Sequence, residues 1–153
     1  VVSKFSSSLH HTGQAIFAII FTIGVLVSGS YSSAVFISLI SGAIYSLLSF
    51  FGPWIMVSWL VRGATIAILF RAFSIFEKET PSALLVAVSM TISSFATGMT
   101  HYLFLIKFLN LLSYTPPISL VLFTIGISVA STLVASYLAT RLIYPRVRVV
   151  LPW

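Results

Sequence analysis

The chain has 153 residues, of which 59% are hydrophobic and 7% charged, and its mean hydropathy is +1.14. Soluble domains carry about a quarter charged residues, so this composition excludes a water-soluble fold and a disordered tail. It predicts an integral membrane protein. The chain has no cysteine, which excludes disulfides, thiolate nucleophiles and zinc–thiolate or iron–sulfur sites.

The net charge is +6, from eight lysines and arginines against two acids. A nucleic-acid partner is not expected, because all the cations except Arg62 lie near the ends of apolar runs. Cations at those positions are typical of contacts with anionic lipid head groups. The lipid bilayer is therefore the partner that the charge pattern predicts.

Five apolar runs follow one another along the chain. A membrane-spanning helix needs about 20 mostly apolar residues, and prolines stand at or near the start of the last three runs. The first run is the shortest. The runs cover residues 13–29, 33–51, 53–73, 82–106 and 117–143. We predict one all-α domain over residues 1–153, a polytopic transmembrane helix bundle of about five spans.

The distribution of lysine and arginine predicts the orientation of this bundle. With five spans, Lys4 and Lys107 lie on one side of the membrane, and five cations lie on the other. Cytoplasmic loops carry the excess of positive residues, so we expect the C-terminus in the cytoplasm and the N-terminus outside the cell membrane. The five cations are Arg71, Lys78, Arg141, Arg146 and Arg148.

Arg62 lies near the middle of the third run, where a charged side chain costs several kcal/mol unless it faces a cavity or a partner. No acidic residue lies inside any apolar run. Three roles remain open for Arg62: a structural contact with backbone carbonyls, a contact with a ligand, or a contact with another subunit. Ser58 and Thr65 extend the same helix face.

The fourth run carries Ser89, Ser93, Thr97 and His101 at intervals of four residues. This pattern predicts a polar stripe, which either packs against another helix or lines a cavity. Small residues also recur every four positions in the second and fifth runs. They indicate close helix packing, and one such ladder offers a docking face for another protein. The candidate ligand-binding residues are Arg62, Ser58, Ser93, Thr97 and His101.

The inventory of reactive side chains argues against catalysis. Both acids, Glu77 and Glu79, lie in one loop, so a catalytic triad, an acid pair or an intramembrane proton relay is not expected. The neighbouring His10 and His11 point about 100° apart on a helix, and no acid is available to orient a metal-binding histidine. We expect no enzymatic activity, no metal and no cofactor.

Several segments resemble the substrate-binding S-component of energy-coupling factor transporters, archaeal ones especially. The resemblance lies in residues 41–54, Val61-Arg62-Gly63, Thr100-His101-Tyr102 and residues 137–146. It implies a small-molecule site near the outer surface, and partners in a transmembrane scaffold and two ATPases. S-components usually have six helices with both termini cytoplasmic. A missing first helix would place this N-terminus outside, in agreement with the charge count.

Two functions follow from these observations. The first is a solute-binding membrane subunit of a transporter that takes up a small vitamin-like or polar molecule. The alternative is a non-catalytic accessory subunit of a larger membrane complex, for example a respiratory one. A channel is less favoured, because the sequence shows no charged ring or filter motif.

Overall fold

Helices make up nearly all of the described chain. The computed structural model describes residues 2–49, 51–109 and 116–150, and within them the side chains of all but residues 2–14 and Leu105. The helices are α1 (Val2–Ser28), α2 (Tyr31–Leu48), α3 (Ile55–Ala72), α4 (Ala83–Thr100), α5 (Ile118–Leu138) and α6 (Tyr144–Val150). Short 3-10 turns at Gly52–Trp54 and Ile75–Glu77 come before and after α3.

Four stretches of helix are long and apolar enough to cross a membrane. They are Tyr31–Leu48, Gly52–Ala72, Ala83–Phe108 and Ile118–Val150. A fifth apolar stretch, Ala15–Ser28, is shorter. The prediction of an all-α bundle of transmembrane type is therefore confirmed, with four to five apolar helices.

The connections from α1 to α2 and from α2 to α3 are short turns that need glycine. Gly29 has a φ of +60° and Gly52 a φ of +53°. Residues with a side chain adopt this left-handed conformation at a cost, whereas glycine adopts it freely. Because the turns are short, α2 runs antiparallel to α1, and α3 runs antiparallel to α2.

Two helices continue through wider π turns. Helix α4 extends as a π-helix over His101–Phe108, and Ala139–Ile143 forms a π segment between α5 and α6. Pro145 follows the second π segment. A proline cannot donate to the preceding turn of a regular helix and collides with its carbonyl, and π turns of this kind relieve such conflicts.

The helices pack in the order α2, α3, α4, α5, α1, and α1 contacts α2 much less than it contacts α5. Glycines allow the closest approaches. A Cβ atom on Gly63 would lie 2.7 Å from the Cα of Val35 in α2, and one on Gly42 would lie 2.7 Å from the Cβ of Trp59 in α3. The small residues of α2 thus pack within the molecule.

The two halves of the bundle differ in packing. Most of the largest fully buried apolar side chains lie in the half that contains the turn Ile75–Glu77, namely Val25, Ile66, Phe70, Ile75 and Val86. In the same half, Arg148 Nη1 donates a hydrogen bond to the backbone carbonyl of Glu79, and this bond links α6 to the loop before α4. The opposite half, near Gly52–Trp54, holds a cavity.

Candidate functional site

A cavity of about 630 Å³ lies among helices α1 to α5. Ligand sites for small organic molecules typically measure about 300–1,000 Å³, so this cavity is large enough for one. Its first wall comes from α1 and α2, through Phe17, Ala18, Ser41, Ile44 and Tyr45. Its second wall comes from α3, through Ile55, Ser58, Trp59 and Arg62.

The remaining wall comes from α4 and α5 and carries most of the hydroxyl groups. Helix α4 and its π extension contribute Ser94, Thr97, Gly98 and His101, and α5 contributes Ile125, Ser128 and Thr132. On each of α3, α4 and α5, the first and last lining residues are seven positions apart, which corresponds to about 10 Å along a helix.

The lining therefore has two levels, which we define by three residues each. The inner level is polar, and the outer level, nearer to the turn Gly52–Trp54, is largely apolar. The inner level consists of Arg62, Ser94 and Thr132, and the outer level of Ile55, His101 and Ile125.

Arg62 is 8% exposed and is surrounded by aromatic rings. Its guanidinium carbon lies 4.9 Å from the ring centroid of Phe21, 5.4 Å from that of Trp59 and 5.5 Å from that of Phe17. Arg62 Nε has no hydrogen-bond partner among the described residues. Ring faces stabilise a cation, but they do not accept hydrogen bonds as a carboxylate does.

Ser58 lies one turn before Arg62 on the same face of α3. The residue is 1% exposed, and its Oγ has no hydrogen-bond partner within the described part of the chain. Burial of a hydroxyl without a partner costs about 1–3 kcal/mol. Two neighbouring polar groups that line the cavity thus have unused hydrogen-bonding capacity.

The hydroxyl groups of α4 and α5 form a loose cluster across the helix interface. Ser94 Oγ lies 3.4 Å from Ser128 Oγ, and Thr132 Oγ1 donates to Ser94 Oγ at 3.4 Å. Thr97 Oγ1 donates to the backbone carbonyl of Ser93 at 2.6 Å, so its hydroxyl hydrogen is already used. Both oxygen–oxygen distances in the cluster are long for hydrogen bonds between hydroxyl groups, which measure about 2.5–3.0 Å.

His101 stands at the outer level, where α4 changes to a π-helix. Its ring meets the ring of Phe51 edge-on, with 4.6 Å between the centroids. Phe51 precedes the turn Gly52–Trp54. This contact brings the end of α2 and the end of α4 together at the margin of the cavity.

Four of the five predicted ligand-binding residues line this cavity: Arg62, Ser58, Thr97 and His101. Ser93 does not line it. Ser93 is fully buried, and its Oγ donates to the backbone carbonyl of Met90 at 2.7 Å. The neighbouring Ser94 occupies the cavity wall instead. The sequence-based site also missed the aromatic rings around Arg62 and the α5 hydroxyls.

The described side chains include no group of three histidines, cysteines or acids that could hold a metal ion. His10 and His11 lie outside the described side chains. The cavity walls provide hydroxyl, imidazole and guanidinium groups together with aromatic and aliphatic surface. That arrangement is suited to binding an organic molecule by desolvation and hydrogen bonding.

No protein-family model matches the chain, and neither a curated protein nor a solved structure matches it. No family is therefore identified, and the resemblance to S-components gains no support from these comparisons. The sequence and the structure agree on an integral membrane protein of helical, polytopic type.

Proposed function

We propose that this protein is the solute-binding membrane subunit of a transporter that takes up a small vitamin-like or polar molecule. The observation that carries the proposal is the cavity of about 630 Å³, into which two buried and unsatisfied polar groups, Arg62 and Ser58, are built. Buried polar groups without partners are rare in folded proteins. A ligand that hydrogen-bonds both of them removes that cost.

The charge distribution supports uptake from outside. Arg71, Lys78 and Arg148 lie at the end of the bundle opposite to the cavity. If the end with more positive charge is cytoplasmic, the half with the cavity belongs to the outer leaflet. A solute that arrives from outside then meets the outer level first.

The proposed role is binding without catalysis, and it requires partners. Transport needs an energy source, and the resemblance of residues 41–54 and Val61-Arg62-Gly63 to S-components suggests a membrane scaffold with two ATPase subunits. Under this proposal the present chain supplies specificity, and the partner subunits supply the energy.

The test is a binding measurement on the full chain in lipid nanodiscs. We expect a small molecule to co-purify, as seen by native mass spectrometry, and a panel of vitamins and organic acids to include compounds that raise the melting temperature. Arg62→Gln should abolish the shift. Arg71→Gln, a substitution at the exposed end of the same helix, is the matched control and should preserve it.

An accessory subunit of a larger membrane complex is the second candidate. It is favoured by an exposed strip of small residues on α5: Gly126 and Ala130 face outward, and a Cβ atom on Gly126 would meet nothing within 4 Å. Strips of this kind allow close helix contacts between subunits. Extraction in mild detergent separates the two candidates, because an accessory subunit should migrate only with a large particle and should bind no solute.

A further inference from the structure

This inference rests on the proposed function and specifies the class of ligand. We infer that the cavity binds an organic anion with an apolar body. Its carboxylate or phosphate contacts Arg62 at the inner level and Ser58 one turn nearer to the outer level, and its body extends toward Ile55 and Ile125 at the outer level.

The charge of the lining favours an anion. Among the described residues that line the cavity, Arg62 is the single lysine or arginine, and none is acidic. A cationic ligand would add a second positive charge at a site removed from water. A neutral ligand would satisfy hydrogen bonds but would leave the guanidinium without a counter-charge. A carboxylate or phosphate provides both acceptors and charge, and a guanidinium recognises either with paired hydrogen bonds.

The position of the polar groups favours an apolar body. Arg62, Ser94 and Thr132 concentrate at the inner level, whereas isoleucines from α3 and α5 stand at the outer level, about 10 Å away. Gly98 lies between these levels on α4 and leaves room for Ile125, because a Cβ atom on Gly98 would lie 2.8 Å from its Cγ1. An inorganic anion would fill only the inner level.

The cavity also reaches the outside of the bundle at α2. Ile44 and Tyr45 line it, yet they are 59% and 47% exposed. Helix α1, the next wall of the cavity, contacts α2 only sparsely. The same ligand chemistry can therefore come from the water or from the lipid phase, and the experiment treats these sources separately.

The experiment uses the full chain in nanodiscs of zwitterionic lipid, so that anionic lipid does not compete. The probes are 2-naphthoate, its neutral analogue 2-naphthamide, and acetate, which has the charge without the body. At about 100 times its dissociation constant, 2-naphthoate should raise the melting temperature by about 5–10 °C. The amide and acetate should produce little shift at the same concentration.

Substitutions locate the anion. Arg62→Gln should abolish the shift with 2-naphthoate, and Arg62→Lys should reduce it strongly, which covers the case in which the glutamine variant does not fold. Ser58→Ala should weaken binding by about fivefold. Arg71→Gln, on the same helix but outside the cavity, should bind as the unmodified protein does.

The source of the ligand is tested by a second arm, in which palmitate is added to the disc lipid at a fixed mole fraction. A shift with palmitate that depends on Arg62 supports a ligand from the bilayer, and a shift with 2-naphthoate alone supports one from water. Failure of both anions overturns the inference.

The two proposals fail in different ways. If 2-naphthamide stabilises the protein as much as 2-naphthoate and Arg62→Gln abolishes both shifts, the anion class is wrong and a solute-binding function stands. If Arg62→Gln leaves the shift with 2-naphthoate intact, the anion does not lie at Arg62 and both the inference and the binding site of the proposed function are wrong. If no probe binds and no small molecule co-purifies, the proposed function falls as well.

Discussion

Arg62 is held in the bundle by aromatic rings rather than by a carboxylate. Each contact between a buried cation and a ring contributes about 0.5–2 kcal/mol, and the guanidinium meets the rings of Phe17, Phe21 and Trp59. The cost of a charge in the membrane interior is several kcal/mol. The rings therefore offset the cost in part, while the buried Arg62 Nε has no hydrogen-bond partner among the described residues.

Replacement of this side chain should separate stability from binding. We expect Arg62→Leu to leave the melting temperature of the ligand-free protein unchanged or raised, because the substitution removes a desolvated charge without breaking an ion pair. Binding of organic anions should disappear. Thermal melts of both proteins in the same lipid, with and without 2-naphthoate, measure the two effects. A loss of more than about 3 kcal/mol of stability would instead make Arg62 a structural residue.

Two adjacent serines provide a second prediction at the residue scale. Ser93 Oγ bonds a backbone carbonyl away from the cavity, whereas Ser94 Oγ faces the cavity and the α5 hydroxyls. Ser94→Ala should weaken anion binding by about fivefold, which corresponds to about 1 kcal/mol. Ser93→Ala should change it by less than about twofold. Titration of both variants with 2-naphthoate tests this, and equal effects would contradict the assignment of the cavity wall.

At the scale of elements, the position of the helices was predictable but the face of α4 was not. A membrane helix must be long and apolar, and this requirement is visible in composition alone. Residues four apart, however, rotate by about 40° per step around a helix of 3.6 residues per turn. Ser89 and His101 thus lie about 120° apart, and Ser93 turns away from the cavity. Ser94 and His101 are seven apart and share a face.

The surroundings of Arg62 depend on packing between helices that the sequence does not specify. Phe17 and Phe21 come from α1, and Trp59 comes from α3. Nothing in their spacing relates α1 to α3, because the contact is set by the order in which the helices pack around the cavity. The position of Arg62 near the middle of its apolar run and the absence of acidic residues from the apolar runs are visible in the sequence, and these two features make Arg62 a candidate.

The close contact between α2 and α3 predicts how glycine substitutions change the stability of the protein. Gly63→Ala should destabilise the protein by about 1–3 kcal/mol, because the added methyl would lie 2.7 Å from the Cα of Val35, and backbone cannot give way as a flexible side chain does. Gly126→Ala is the matched control. It adds a methyl in open space on α5, and alanine favours a helix over glycine by about 1 kcal/mol. Chemical or thermal unfolding in one lipid should rank the two variants accordingly; the reverse order would refute this contact.

At the scale of the whole molecule, the bundle combines a tightly packed half with a hollow one. The packed half carries Phe70, Ile75 and Val86 together with the tie from Arg148 to the loop before α4. The hollow half carries Arg62 and Ser58, whose Nε and Oγ have no hydrogen-bond partner among the described residues.

The orientation of these halves across the membrane gives the last prediction. Lys78 follows α3, and Lys107 lies near the end of the π extension of α4, so the two exposed lysines stand at opposite ends of one apolar helix. Because the chain has no cysteine, Lys78→Cys and Lys107→Cys each introduce a single thiol. We expect an impermeant maleimide on intact cells to label the cysteine at 107 and to reach the one at 78 only after permeabilisation, because the end with more lysine and arginine is the one expected in the cytoplasm. Labelling of both from one side would mean that α4 does not cross.

A third variant, Lys4→Cys, determines the number of spans. Labelling from the same side as position 107 means that α1 crosses the membrane and that the bundle has five spans. Labelling from the same side as position 78 means that α1 does not cross and that the bundle has four.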